Sequence, residues 1–206
     1  MHAWKGSLQA FGMRISTGPV VPFRARHLII ENNMADDSHI PLLWMQNITP
    51  MSTQWPAKTR KQQFIRNNGE SKKLLVRNSN YVLMRRFSAK EENQRLVAAP
   101  YLSAALHADS IGLENHLNYI YRPEGDLSEE EVLGLAALYN SKLFDTYFRT
   151  FSGNTQVSAT EIKDMPLPEL SAIKKIGSIL KSSNLGYNQL DDMVGEIVRP
   201  SYSMAL

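Results

Sequence analysis

The apolar positions change their period once along the chain. Up to residue 121 they form short runs broken by turn residues, and beyond residue 126 they recur at helical spacing. Residues 13–30, MRISTGPVVPFRARHLII, read as strand, turn and strand, with the apolar runs interrupted by Gly18-Pro19 and by Pro22. Residues 31–39 read as a polar loop. The apolar run 40–48 enters a loop at Thr49-Pro50, and residues 52–73 are polar, with turn signals at Trp55-Pro56 and Asn67-Asn68-Gly69. The stretch 73–87 predicts two strands about an Asn78-Ser79-Asn80 turn. Residues 94–102 and 116–121 are further strand candidates, for a total of about five or six short strands.

The helical part opens on a capping box, Ser128 with Glu131 three residues on. Behind it Val132, Leu135, Ala136, Leu138, Tyr139, Leu143, Phe144, Tyr147, Phe148 and Phe151 predict one long buried helix ending near Ser152-Gly153. Its aromatic residues read as core. A second box, Ser158 with Glu161, predicts a short helix that Pro166 ends, and 169–181 and 190–198 predict two more. The layout is α+β, strands first and helices later. It divides into a strand-rich domain over 1–168 and a helical C-terminal tail over 169–206.

Composition narrows the class. The 206 residues are 43% hydrophobic and 21% charged, as in ordinary globular proteins. No run of about 18 apolar residues predicts a membrane span. No secretory signal is read in residues 1–18. There is no cysteine, which excludes disulfides, thiolate nucleophiles, zinc fingers and iron–sulfur sites, and is compatible with the expected cytoplasmic location.

Charge changes the picture more. The net +3 conceals 15 Lys/Arg against 6 Asp/Glu in residues 1–100, and 8 against 14 in residues 101–206. The segment 58–95 alone holds 11 basic and 3 acidic residues. Such asymmetry suggests a polyanionic partner for one face, a solvated basic surface being the alternative.

Most catalytic chemistry lacks its residues. There is no GxGxxG turn, no Asp/Asn-Pro-Pro-Tyr/Phe tetrapeptide, no P-loop lysine and no Gly-x-Ser-x-Gly elbow. The histidines His2, His27, His39, His107 and His116 never stand at i, i+3 or i+4, so no metal site is expected. Asp145 followed by Glu161-Ile162-Lys163 echoes the acidic pattern of metal-dependent nucleases. Glu161 is, however, the third residue of a capping box, and Asp145 lies within the expected helix. The catalytic set is therefore read as empty.

Several stretches, in order, resemble one family: ISTGPVVPFRARH (15–27), IPLLWMQNI (40–48), NYVLMRRFSAKEENQRLVAAPY (80–101), IGLENHLNYIYR (111–122) and LYNSKLFDTYFRTFSGNTQVSATEIKDMPLPEL (138–170). Together they resemble the C-terminal specificity region of N6-adenine DNA methyltransferases of the TaqI-like restriction–modification type. The segment from Gly153 to Ile162, followed by Pro-Leu-Pro, also resembles the end of target-recognition domains in type I specificity subunits. The resemblance implies a DNA target-recognition domain. Its partners would be double-stranded DNA and an N-terminal methyltransferase domain or subunit that binds S-adenosylmethionine. This chain itself carries no cofactor motif. A protein–protein module docking a methyltransferase or restriction subunit is the rival reading.

The residue types suit that task, because phosphate contacts give affinity and base-edge contacts give specificity. Arg24, Lys58, Arg60, Lys61, Arg85, Arg86, Lys90 and Arg95 are the expected phosphate or base contacts. Arg85 and Arg86, adjacent on a strand, should point to opposite faces, one toward DNA and the other toward an acid such as Glu91 or Glu92. Asn78, Asn80, Asn154 and Gln156 sit in expected turns, where Asn and Gln can read adenine but also serve turn and capping chemistry. Asn115 and His116 complete the set. Trp55, beside Pro56 and Lys58, is placed to touch a DNA backbone or a partner domain.

Overall fold

The computed structural model describes residues 4–30, 39–183 and 187–198. The polar loop expected at 31–39 therefore lies, apart from His39, outside the described residues. The elements run β1 (Arg14–Thr17), β2 (Ile29–Ile30), β3 (His39–Leu43), β4 (Ile48–Thr49), β5 (Ser52–Thr53), β6 (Phe64–Arg66), β7 (Leu75–Arg77), β8 (Tyr81–Arg85), β9 (Ala98–Tyr101), β10 (Ser110–Leu113), β11 (Leu117–Tyr121), α1 (Glu129–Asn140), α2 (Lys142–Phe151), α3 (Ala159–Lys163), α4 (Leu170–Ser182) and α5 (Tyr187–Val198). The α+β class read from the sequence is the one observed.

Two sheets stack beneath the helices. The first has the order β1-β11-β8-β9 and is antiparallel throughout. The second has the order β2-β6-β3-β10-β7 and contains one parallel pair, β3 with β10. β8 shows why the first sheet is central. Its alternate residues Val82 and Met84 join the helices in one hydrophobic cluster, while Tyr81 and Leu83 join Leu43, Ile111 and Leu113 of the second sheet in another. A strand buried on both faces reads as a continuous apolar run, which YVLM is. A third cluster lies beyond the second sheet, where Ile40, Leu42 and Ile65 meet Val20, Ala25 and Leu28. The order of layers is helices, first sheet, second sheet, and then the segment 20–28. The acidic helical half of the chain thus lies across both sheets from that segment.

The helices form a continuous unit with the first sheet. Ile173 and Ile176 of α4 and Leu190, Val194 and Val198 of α5 share one buried cluster with Val132, Leu135 and Val82, so residues on both sides of position 168 enter the same core. α1 and α4 approach closely through glycine. A Cβ at Gly134 would stand 2.0 Å from the carbonyl oxygen of Ile173, and one at Gly177 1.9 Å from that of Glu130. Both expected capping boxes form: Ser128 Oγ accepts from Glu131 N and Ser158 Oγ from Glu161 N, with each glutamate returning to the serine N–H.

Three expectations are corrected. The single helix expected up to Phe151 is two, because the Ser141 backbone is extended (φ −72°, ψ 148°) and its hydroxyl caps α2 by accepting from Phe144 N. The two strands expected about Asn78-Ser79-Asn80 form as β7 and β8, and they enter different sheets, β7 pairing with β10 and β8 with β9 and β11. The chain is redirected there by the Asn78 side chain, whose amide donates to the carbonyls of Ser103 (3.0 Å), Leu106 (2.9 Å) and Ala108 (2.9 Å). The second strand expected within 13–30 shrinks to β2, since residues 22–28 form successive turns. Finally β5, β6 and β10 occupy stretches read as polar or left unassigned, because strands this short carry too few residues to show an alternation.

Candidate nucleic-acid interface

The elbow Glu114-Asn115-His116, between β10 and β11, gathers three loops. The Glu114 side chain is 1% exposed. One carboxylate oxygen accepts from Met45 N (3.0 Å). The other lies 2.8 Å from His116 Nδ1 and 3.8 Å from Lys61 Nζ. It is within ion-pair reach of both, yet no donor is aligned on it as a hydrogen bond. The segment 18–20 runs beside the elbow: Val20 N donates to Leu113 O (3.0 Å), and Asn115 N donates to Val20 O (2.8 Å). Gly18 is required there, because a Cβ would stand 2.2 Å from Glu114 O.

Around this elbow stand the residues best placed to meet a polyanion. Lys61 Nζ lies 4.1 Å from the centre of the Trp44 ring, on the loop that also carries the exposed Lys58 and Arg60. Arg24 and Arg26 are exposed on the turns that follow Val20. Neither is paired with an acid among the described residues. The Asn115 side-chain amide has no partner among the described residues either, whereas the main-chain carbonyl of Asn115 accepts from Arg86 Nη1 (3.1 Å). His116 is half-exposed, and its ring stands edge-on to Phe87 with centroids 5.0 Å apart. Gln156 reaches the same place. Val157 N donates to Arg86 O (2.7 Å), and the Gln156 amide oxygen, turned toward Arg86, accepts from Nε at 2.8 Å. Lys61, Arg86, Asn115, His116 and Gln156 are thus brought together, with Arg24, Lys58 and Arg60 on the flanking loops.

The other expected contacts are placed elsewhere. Arg95 is 2% exposed: its Nε donates to Ser88 Oγ (2.9 Å), its Nη2 to the carbonyl of Asn154, and its guanidinium lies over Phe148. It is a core residue, out of reach of a phosphate. Arg85 donates Nε and Nη2 to Ile48 O (3.2 and 2.7 Å). Neither Arg85 nor Arg86 pairs with Glu91 or Glu92, because main-chain carbonyls already occupy both guanidinium groups. Glu92 instead accepts from Ala89 N (2.8 Å). Asn78 and Asn80 stand at the opposite end of β8, Asn80 roughly 20 Å from Arg86 at strand rise. The Asn78 side-chain Oδ1 accepts from the Tyr101 hydroxyl (2.6 Å), a donor kept protonated because burial pushes its pKa well above the usual range. Asn80 donates to Leu127 O (2.8 Å) and accepts from Ser103 N (2.9 Å). Lys90 and Asn154 are exposed near α2, where Arg149 donates to Lys90 O (3.0 Å). Trp55 packs edge-on against Phe64 and donates Nε1 to Leu42 O (3.3 Å).

The nuclease pattern dissolves on the same grounds. Asp145 Oδ1 accepts from Arg95 N (2.6 Å) and Leu96 N (2.9 Å), and its Oδ2 from Arg149 Nε (2.7 Å). Glu161 is held in its capping box. Among the described residues no cluster of His, Asp and Glu has metal-binding geometry, and no helix is long and apolar enough to cross a membrane. Sequence reasoning passes over Phe23, Arg26, Phe87 and Glu114. The available signal for the first two is an aromatic residue followed by alternating arginines in a Pro-broken stretch, where a strand is the competing interpretation.

No family model matches the chain. It is 33% identical over 194 residues to the type II methyltransferase M.BsuBI of Bacillus subtilis, an alignment covering 93% of this chain and 38% of that protein. It is 31% identical over 191 residues to the type II methyltransferase M.PstI of Providencia stuartii, covering 92% of this chain and 37% of that protein. The chain is a homologue of one part of type II methyltransferases, and it spans less than two fifths of the length of these relatives.

Proposed function

We propose that this chain is the DNA target-recognition part of an adenine-N6 methyltransferase in a restriction–modification system. Catalysis would come from a separate domain or subunit that binds S-adenosylmethionine. The observation that carries the reading is the elbow at Glu114–His116, which gathers loop-borne cations and an Asn115 amide without a partner among the described residues. Arg24, Arg26, Lys58, Arg60 and Lys61 would neutralise phosphates, and Asn115 with Gln156 would meet base edges in the major groove. Rigid sheets presenting variable loops suit this work, because loops can change their contacts without disturbing the core. The likeness to one part of type II methyltransferases supports the setting. The missing Gly-rich turn and catalytic tetrapeptide support a division of labour between this chain and a catalytic one.

The test is selection from a pool of random duplexes by the 206-residue chain. Enrichment of one short sequence is expected, and its loss is expected on Asn115→Ala with the fold intact. A pool that emerges unchanged at low salt contradicts the reading.

One observation favours a second role in protein docking. Leu143 and Phe151 on α2 are 40% and 45% exposed, and with Tyr147 they form an i, i+4, i+8 stripe. This face lies on the helical side, so it suits attachment to a catalytic domain while the elbow holds DNA. Leu143→Glu should then weaken assembly and leave duplex affinity unchanged.

A further inference from the structure

Phe23 is 93% exposed, far more than any other large hydrophobic residue among those described. Phe87 rests against His116, and Phe151 against Tyr147 and Phe148. Phe23 has no ring contact among the described residues. Its position does not come from a loosely held backbone. Arg24 N and Ala25 N both donate to Val21 O (2.9 and 3.0 Å), and Leu28 N and Ile29 N both donate to Ala25 O (2.9 and 3.2 Å). Ala25 and Leu28 anchor these turns in the hydrophobic cluster beyond the second sheet. The same turns that bury Ala25 and Leu28 turn Phe23, Arg24 and Arg26 outward. Such a ring gains by leaving water, and a binding partner can supply that burial.

The surroundings say which partner. Arg24 and Arg26 follow the ring, both exposed and neither paired with an acid among the described residues. The nearby acid, Glu70, is engaged by His27 at 2.8 Å. Phe23 is also only three residues beyond Val20, whose carbonyl accepts from Asn115 N. That puts it within about 10 Å of chain from the elbow. A flat apolar ring beside two cations fits a partner with regularly spaced negative charge and flat apolar faces, which is a nucleic acid.

We infer that Phe23 is a wedge that enters the base stack of a bound duplex, with Arg24 and Arg26 holding the phosphates on either side. Apolar side chains inserted between base steps unstack and kink a duplex, and the bend brings more phosphates to the protein. A base that is to be modified must also leave the stack, so a side chain that fills or opens a step lowers the cost of extrusion. This inference rests on the recognition reading above.

The test uses the enriched duplex with 2-aminopurine placed in turn at each position of its site, and the full chain as wild type, Phe23→Ala, Phe23→Trp and Arg24→Ala/Arg26→Ala. Wild type should raise 2-aminopurine fluorescence at one step. Phe23→Ala should abolish that rise and weaken binding roughly ten-fold, the scale of one lost base–aromatic stack, without changing the salt dependence. Phe23→Trp should keep the rise, and its indole emission should be quenched by DNA. Arg24→Ala/Arg26→Ala should flatten the salt dependence instead. Phe23→Ala that binds as wild type and gives the same fluorescence rise overturns the wedge and leaves the recognition reading standing. A wild-type chain that binds no duplex at low salt overturns the recognition reading itself.

Discussion

Glu114 and His116, two residues apart, face one another across 2.8 Å, the carboxylate buried and the imidazole half-exposed. The same carboxylate accepts from Met45 N and lies within reach of Lys61. Glu114 therefore ties the loop after β3, the loop before β6 and the turn between β10 and β11 to one point. Glu114→Ala should cost about 1–3 kcal/mol, the penalty for stripping a buried donor of its partner. Glu114→Gln, which still offers an oxygen to Met45 N, should lose less. Urea unfolding of both variants checks this, and equal losses would mean that the hydrogen bond to Met45 is not what Glu114 contributes.

Arg95 separates structural from binding cations. Its guanidinium is buried against Ser88, the Asn154 carbonyl and the Phe148 ring. Arg95→Ala strands those acceptors and opens a cavity, and should cost about 3 kcal/mol or more. Lys90→Ala, on an exposed loop of the same basic segment, should stay within about 0.5 kcal/mol. Thermal melts of the two, side by side, decide the matter. A mild Arg95→Ala would return that residue to the surface set.

Sequence patterning made the core legible where it was continuous and hid it where chemistry redirected the chain. YVLM in β8, the run of α1 and both capping boxes were readable because burial on both faces, 3.6-residue spacing and the Ser-x-x-Glu pattern each leave a local signature. The break at Ser141 was obscured because the apolar spacing continues across it from Tyr139 to Phe144 and Phe148. Arg95 and Asn78 looked like surface polar residues, since nothing local reveals that the carbonyl of Asn154 or those of Ser103, Leu106 and Ala108 will surround them. Phe23 was hidden by the opposite error, because an apolar residue in an apolar stretch reads as core.

The caps give a narrow test of that reading. Ser141→Ala removes the acceptor for Phe144 N and should cost about 0.5–2 kcal/mol. Glu161→Gln keeps an oxygen for Ser158 N and should cost only a few tenths of that range. Equilibrium unfolding of both resolves the difference. A Glu161→Gln loss as large as that of Ser141→Ala would show that the carboxylate charge, not its hydrogen bond, holds α3.

Acid should protonate Glu131 only below the ordinary glutamate range. Burial acts to raise its pKa, but the Arg122 hydrogen bond, the Ser128 N–H and the charges of Arg122 and Lys174 outweigh that and hold it below its ordinary 4.5. A carboxyl depressed in the folded state stabilises the fold above its unfolded pKa and loses that contribution as pH falls through the folded one. Glu131→Gln should therefore melt below wild type near neutrality, and the gap should narrow between about pH 5 and about pH 3. A gap constant across that window would contradict the assignment.

If the loops around the Glu114–His116 elbow grip duplex DNA, fluorescence anisotropy of a labelled duplex across a salt series will show it. With Arg24, Arg26, Lys58, Arg60 and Lys61 at phosphates, log K should fall against log salt with a slope of roughly −4 to −5. Lys58→Ala/Arg60→Ala/Lys61→Ala, folded by circular dichroism, should flatten the slope by about 2 to 3. No binding at low salt, or an unchanged slope in the folded triple variant, would contradict the account.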